Sequence, residues 1–133
     1  MNDPAPVIVV IAAVIEKEGR FLVTRRQAGT HLEGYWEFPG GKCHPGETQE
    51  QALRREIREE LDAEIAAPRK IFETRYRYPE RTVELHFYRC SLPGTPRPLL
   101  GQELQWIPRT QLGTLTFPPA DAELVARLME GTA

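Results

Sequence analysis

The chain has little of several things. Two cysteines, two methionines and 8% aromatic residues are spread over 133 positions. Cys43 and Cys90 alone build no disulfide framework and suit a reducing cytoplasm. A formal net charge of −2 supplies no basic field, which argues against stable binding of duplex nucleic acid or of an anionic membrane surface. Long apolar runs are missing. The longest, Val7 to Ile15, falls far short of the roughly 20 residues that span a bilayer. The N-terminus lacks the basic region of a secretory signal. His31, His44 and His86 have no metal-ligand spacing and no paired nucleophile, and Cys43 beside His44 is read as incidental. Internal repeats and low-complexity tracts are absent. What remains is ordinary for a soluble globular protein: 41% hydrophobic and 27% charged residues, at a length expected to form one domain, 1–133. Phosphate recognition, if any, must come from a local arrangement or from a metal.

Taken in order, Val7 to Ile15 is a β-branched run that predicts a strand buried on both faces. A turn at Glu16–Gly19 joins it to a second strand, Arg20 to Thr24, in a hairpin. A loop carrying Arg25, Arg26 and His31 reaches Gly34, and Tyr35 to Phe38 is a short strand. After the central helix, Lys70 to Tyr78 and Thr82 to Cys90 predict a second antiparallel pair, and proline-rich Ser91 to Gly101 a loop. Leu104 to Ile107 is a short strand. A last helix should run to about Met129 with Leu124, Val125, Leu128 and Met129 as its apolar face. Such a chain is α+β, with a mixed sheet between two main helices.

The organising stretch is Gly40 to Ala63. A Gly/Pro loop gives way at Thr48, a good N-cap, to a helical segment in which Leu53, Ile57 and Leu61 form an apolar stripe. At about 100° per residue, Glu56, Glu59 and Glu60 share one neighbouring face, while Arg54, Arg55 and Arg58 project to the far side. A helix charged only for solubility would intersperse its signs. Clustered carboxylates repel unless a cation lies against them, and a hard divalent ion such as Mg²⁺ takes such oxygens while keeping waters for phosphates. A solvated helix face neutralised by its arginines is the other reading of the helix alone.

The whole stretch resembles the Nudix box, Gly-x5-Glu-x7-Arg-Glu-apolar-x-Glu-Glu-x-Gly-apolar, here spanning residues 41–63. Gly41, Glu47, Arg55, Glu56, Ile57, Glu59, Glu60 and Ala63 fill it, and Asp62 stands where the family has Gly. The resemblance implies an α/β/α sandwich and metal-dependent cleavage of a nucleoside diphosphate linkage by water. It implies Mg²⁺, with Mn²⁺ as an alternative, held by Glu56, Glu59 and Glu60 with the Gly41 carbonyl. Glu56 would be the base, and Arg55 paired with Glu47 would orient the face.

Outside the box, Thr24-Arg25-Arg26, Trp36 to Lys42, Tyr78 to Arg81, Trp106 and Phe117 to Asp121 are similar to MutT-type nucleoside triphosphate pyrophosphohydrolases. That similarity implies release of pyrophosphate from a (deoxy)nucleoside triphosphate such as 8-oxo-dGTP. Arg26 would lie at the phosphates, and Phe38, Arg81 and Asp121 at the base. Two departures stand out. Asp121 replaces an asparagine, and an ionised carboxylate can only accept; CTP-hydrolysing relatives share it, so cytidine nucleotides are a rival substrate. Leu100 replaces a metal-binding glutamate, for which Glu103 is the nearby substitute. A catalytically weak nucleotide-binding module and a DNA-glycosylase accessory domain are the remaining alternatives.

Overall fold

The computed structural model describes residues 6–133, and it is built outward from one strand. β1 (Val7–Lys17) alternates across the sheet. Ile11, Ala13 and Ile15 point into one core and Ala12 and Val14 into the other. β6 (Thr82–Ser91) runs parallel to β1 along one side, from Val7 opposite Thr82 to Ile15 opposite Cys90. The other side is divided. β4 (Gly40–Lys42) pairs antiparallel with Val10 to Ala12. Beyond it, β2 (Arg20–Arg25) closes the expected hairpin, with Glu16 opposite Phe21. β3 (Trp36–Glu37) and β7 (Leu104–Pro108) flank β2, and β5 (Ala66–Arg77) is the edge beside β6.

One helix covers each face, which gives the expected sandwich around a mixed sheet. α1 (Gln49–Leu61) buries Ala52, Leu53, Ile57 and Leu61 against one side of β1 and β2. Burial of each large aliphatic chain contributes about 1.5–3 kcal/mol. α2 (Ala122–Glu130) buries Leu124, Val125 and Leu128 on the opposite face with Phe21, Val23 and Phe87. Met129, expected on that apolar face, is instead 38% exposed at the rim.

α1 is fixed at both ends. Thr48 Oγ1 accepts from Gln51 N at 3.1 Å while Gln51 Oε1 accepts from Thr48 N at 2.9 Å, a reciprocal capping box. The helix stops at Leu61 because Asp62 turns left-handed (φ 51°, ψ 45°) and donates its N–H to Arg58 O. The Asp in place of Gly is therefore accommodated, and its carboxylate gains Arg97 at 3.3 Å. Strand β5 begins earlier than expected, passing through Pro68 with two bulges. A 3-10 segment, Arg109–Thr114, was not expected and buries Leu112. The proline-rich segment between β6 and β7 has no regular structure, but it caps α1: Arg97 N donates to Leu61 O (2.7 Å) and Leu99 N to Glu60 O (3.0 Å).

Candidate active site

Arg55 is the hub of the acidic face. Its Nε and Nη2 grip both oxygens of Glu47, at 2.7 and 2.9 Å. Nη1 donates to Glu56 (2.9 Å) and Glu59 (3.2 Å), and Nη2 also reaches Lys42 O (3.0 Å). The hydrogen-bonded guanidinium of Arg55, with the backbone N–H of His44, holds the Glu47 carboxyl down at about 2. The projection of Arg55 to the far side of the helix is thus corrected. Arg54 and Arg58 do turn away, to Glu50 and the Ile65 carbonyl and to Glu64, but the long Arg55 chain bends back to the carboxylates.

Glu60 differs from its neighbours. It is half-buried beside β4, and desolvation, then Glu56, then Glu37 push its carboxyl up to about 8. Glu56 lies directly against Gly41, where a Cβ would fall on the carboxylate. Among the described residues, no three His, Cys, Asp or Glu side chains are drawn together into a ready-made cation site. Glu56 and Glu59 pair with Arg55 instead. The donor set nevertheless fits a hard divalent cation: carboxylate oxygens beside a glycine loop, with one half-buried carboxyl that cannot comfortably carry charge without a cation.

Glu60 has a folded pKa above its unfolded value, so its contribution to stability is complete below the ordinary carboxylate range and is lost as pH rises through about 8. In EDTA, the melting temperature is expected to fall between about pH 6 and about pH 8. Mg²⁺ should recover more of it at the higher pH, because the cation replaces the proton. Differential scanning fluorimetry reads this directly. A Glu60→Gln protein that showed the same slope and the same Mg²⁺ recovery would remove Glu60 from the response.

Two cavities adjoin this face. The larger, about 320 Å³, is mainly apolar, between β1, β6, the 26–35 loop and the start of α2. Phe38, Arg81 and Asp121 all line it. Phe38 is core as well, 3% exposed, stacked on Phe117 at 5.3 Å. Asp121 precedes α2 but makes no capping hydrogen bond. Burial first, then Glu37, raise its carboxyl to about 7. His31 and Tyr78 meet edge-on at 5.3 Å between the 26–35 loop and the β5–β6 turn.

The smaller cavity, about 170 Å³, is polar and lined by Glu60, Arg25, Gln27, Leu100 and Gln102 among others. Arg26 and Glu37, joined at 3.0 Å, belong to the walls of both. Glu37 is the residue that sequence reading missed. Desolvation raises its carboxyl against the opposing pull of Arg26. Its only sequence signal is a charged residue inside the aromatic run Trp36-Glu37-Phe38. The Glu103 carboxylate accepts from Gln105 at 2.8 Å and lies 3.6 Å from Arg25, and its backbone carbonyl accepts from Arg25 N.

Residues 10–127 match the model of the NUDIX domain. The chain is 37% identical over 129 residues to the 8-oxo-dGTP diphosphatase of Haemophilus influenzae, covering 95% of this chain and 94% of that protein. It is 35% identical over 123 residues to the CTP pyrophosphohydrolase of Escherichia coli, covering 92% and 91%. The solved E. coli ORF135 protein superposes with a TM-score of 0.83 at 34% identity, covering 97% of this chain and 93% of that one. The chain belongs to the Nudix hydrolase family. Members of that family work with divalent metal ions. Among the described residues, no helix is long and apolar enough to cross a membrane.

Proposed function

We propose that the protein hydrolyses a (deoxy)nucleoside triphosphate to the monophosphate and pyrophosphate, acting on oxidised nucleotides such as 8-oxo-dGTP in cytoplasmic nucleotide sanitation linked to DNA repair. The observation that carries this reading is the shared wall at Arg26 and Glu37. It joins an apolar cavity of base size to a polar one floored by Glu60.

Mg²⁺, or Mn²⁺ in its place, would be held by Glu56, Glu59, Glu60 and the Gly41 carbonyl, and would supply charge neutralisation and a more acidic water. Glu56 takes the proton of the attacking water. Arg55, anchored by Glu47, keeps that carboxylate in place before substrate arrives. Arg26 lies where the phosphates must pass between the cavities. Phe38, backed by Phe117, offers an aromatic wall, and Arg81 and Asp121 line the same cavity, Asp121 toward the base edge. Water adds to phosphorus, the phosphoanhydride bond breaks, and pyrophosphate leaves.

The first test is pyrophosphate release with Mg²⁺ from 8-oxo-dGTP, dGTP, CTP, 5-methyl-dCTP and dATP. Orthophosphate as the product, or no turnover with any of them, would refute the proposal.

Cytidine nucleotides are the second reading, favoured by the carboxylate at position 121. Protonated Asp121 both donates and accepts, as a purine edge with adjacent acceptor and donor requires. Ionised, it only accepts, which suits the cytosine amine. With its carboxyl near 7, preference for 8-oxo-dGTP over CTP should decline as pH rises through neutrality. Asp121→Asn should make that preference insensitive to pH. An unchanged pH profile in the variant would take Asp121 out of base recognition.

A further inference from the structure

The segment from Leu92 to Glu103 lacks regular structure yet is fastened at several points. Arg97 N and Leu99 N bond the last carbonyls of α1, Gln27 Nε2 donates to Leu100 O at 2.7 Å, and Arg25 N donates to Glu103 O at 3.0 Å. Most of the segment is exposed, but Gln102 is buried at 9%. Both ends of its amide are bonded. Nε2 donates to Glu60 O at 3.2 Å, and Oε1 accepts from Leu100 N at 3.0 Å. The Glu60 carbonyl therefore accepts two bonds from this segment, one from Leu99 N and one from Gln102.

Glu60 sits in the last turn of α1, where helix carbonyls have no partner within the helix and ends fray. The same residue carries the half-buried carboxylate of the polar cavity, and Gln102 and Leu100 form part of that cavity's wall. Only an amide fills the role. A carboxylate at 102 could accept from Leu100 but not donate to Glu60, and an aliphatic chain could do neither.

We propose that Gln102 is a positioning residue for Glu60. It locks the final turn of α1 to the 92–103 strap and thereby sets how tightly the acidic face takes a divalent cation. This rests on the reading of Glu60 as a metal ligand. Outer groups that orient a ligand are worth roughly 10- to 100-fold in metal affinity.

The experiment compares wild type, Gln102→Leu, Gln102→Glu and Glu60→Gln by Mn²⁺ binding in electron paramagnetic resonance. Mg²⁺ half-activation and nucleotide KM at saturating metal are measured on the same proteins. Both Gln102 variants should weaken Mn²⁺ binding and raise Mg²⁺ half-activation by roughly 10-fold, with nucleotide KM held within about 2-fold. A merely structural role would lower kcat and melting temperature together and leave the metal constant alone, and that result would overturn the proposal. So would unchanged or tighter Mn²⁺ binding in either variant. If Gln102→Leu does not fold, Gln27→Leu, which frees Leu100 O, should shift the metal constant in the same direction; no shift overturns the proposal. Wild-type protein that takes no Mn²⁺ would sink the reading of the acidic face itself. Mn²⁺ binding abolished by Glu60→Gln but untouched by Gln102→Leu would sink the Gln102 assignment alone.

Discussion

Glu56→Gln is expected to lower Mg²⁺-dependent pyrophosphate release by roughly 10²–10⁴-fold, the usual worth of a positioned general base. The fold should survive, because Glu56 contributes one hydrogen bond to a hub that Arg55 also anchors through Glu47, Glu59 and Lys42 O. Glutamine keeps the volume and the acceptor for Arg55 Nη1, but it removes the basic oxygen and a charge from the metal face. Turnover should fall through kcat more than through nucleotide KM, since the loss is felt in the transition state. Steady-state kinetics with circular dichroism of the variant make the check. An unchanged rate would move the base to another carboxylate.

Gly40→Ala and Gly41→Ala should fail in different ways, although they are neighbours. At Gly40 a Cβ would fall on the backbone of β1, onto Ile11 O and 2.7 Å from Ala12 Cα. Backbone in the middle of a sheet cannot yield, so the expected loss is roughly 3 kcal/mol or more of stability, at the upper end of overpacking costs. At Gly41 the three atoms nearest a Cβ all belong to the carboxylate of Glu56. A side-chain end can swing away, so Gly41→Ala should fold but lose most of its activity and bind Mn²⁺ weakly. Urea denaturation together with the turnover assay separates the two. Equal destabilisation by both would show that the Gly41 contact is not confined to the metal face.

Much of this was legible because periodicity writes itself into sequence. The strand from Val7 and the stripe Leu53, Ile57 and Leu61 follow from spacing alone, and Thr48 announces the start of α1. The path of a long side chain does not. A helical projection places Arg55 by its Cα and cannot see that Glu47 and the Lys42 carbonyl wait for it in the preceding loop. Glu37 was invisible for another reason. A single charge in a two-residue strand has no pattern, and only the meeting of two cavities reveals it. The strap was legible as irregular but not as connected, since its bonds run to α1 and to the 26–35 loop rather than along the chain.

β1 has a consequence for motion. Strand neighbours hold it on both edges, and the two helices press on it from above and below. A chassis clamped on four sides has no hinge, so the base cavity and the acidic face cannot swing apart as halves. The strap is pinned to α1 and to β2, so any closing over a nucleotide is left to the 26–35 loop outside that frame.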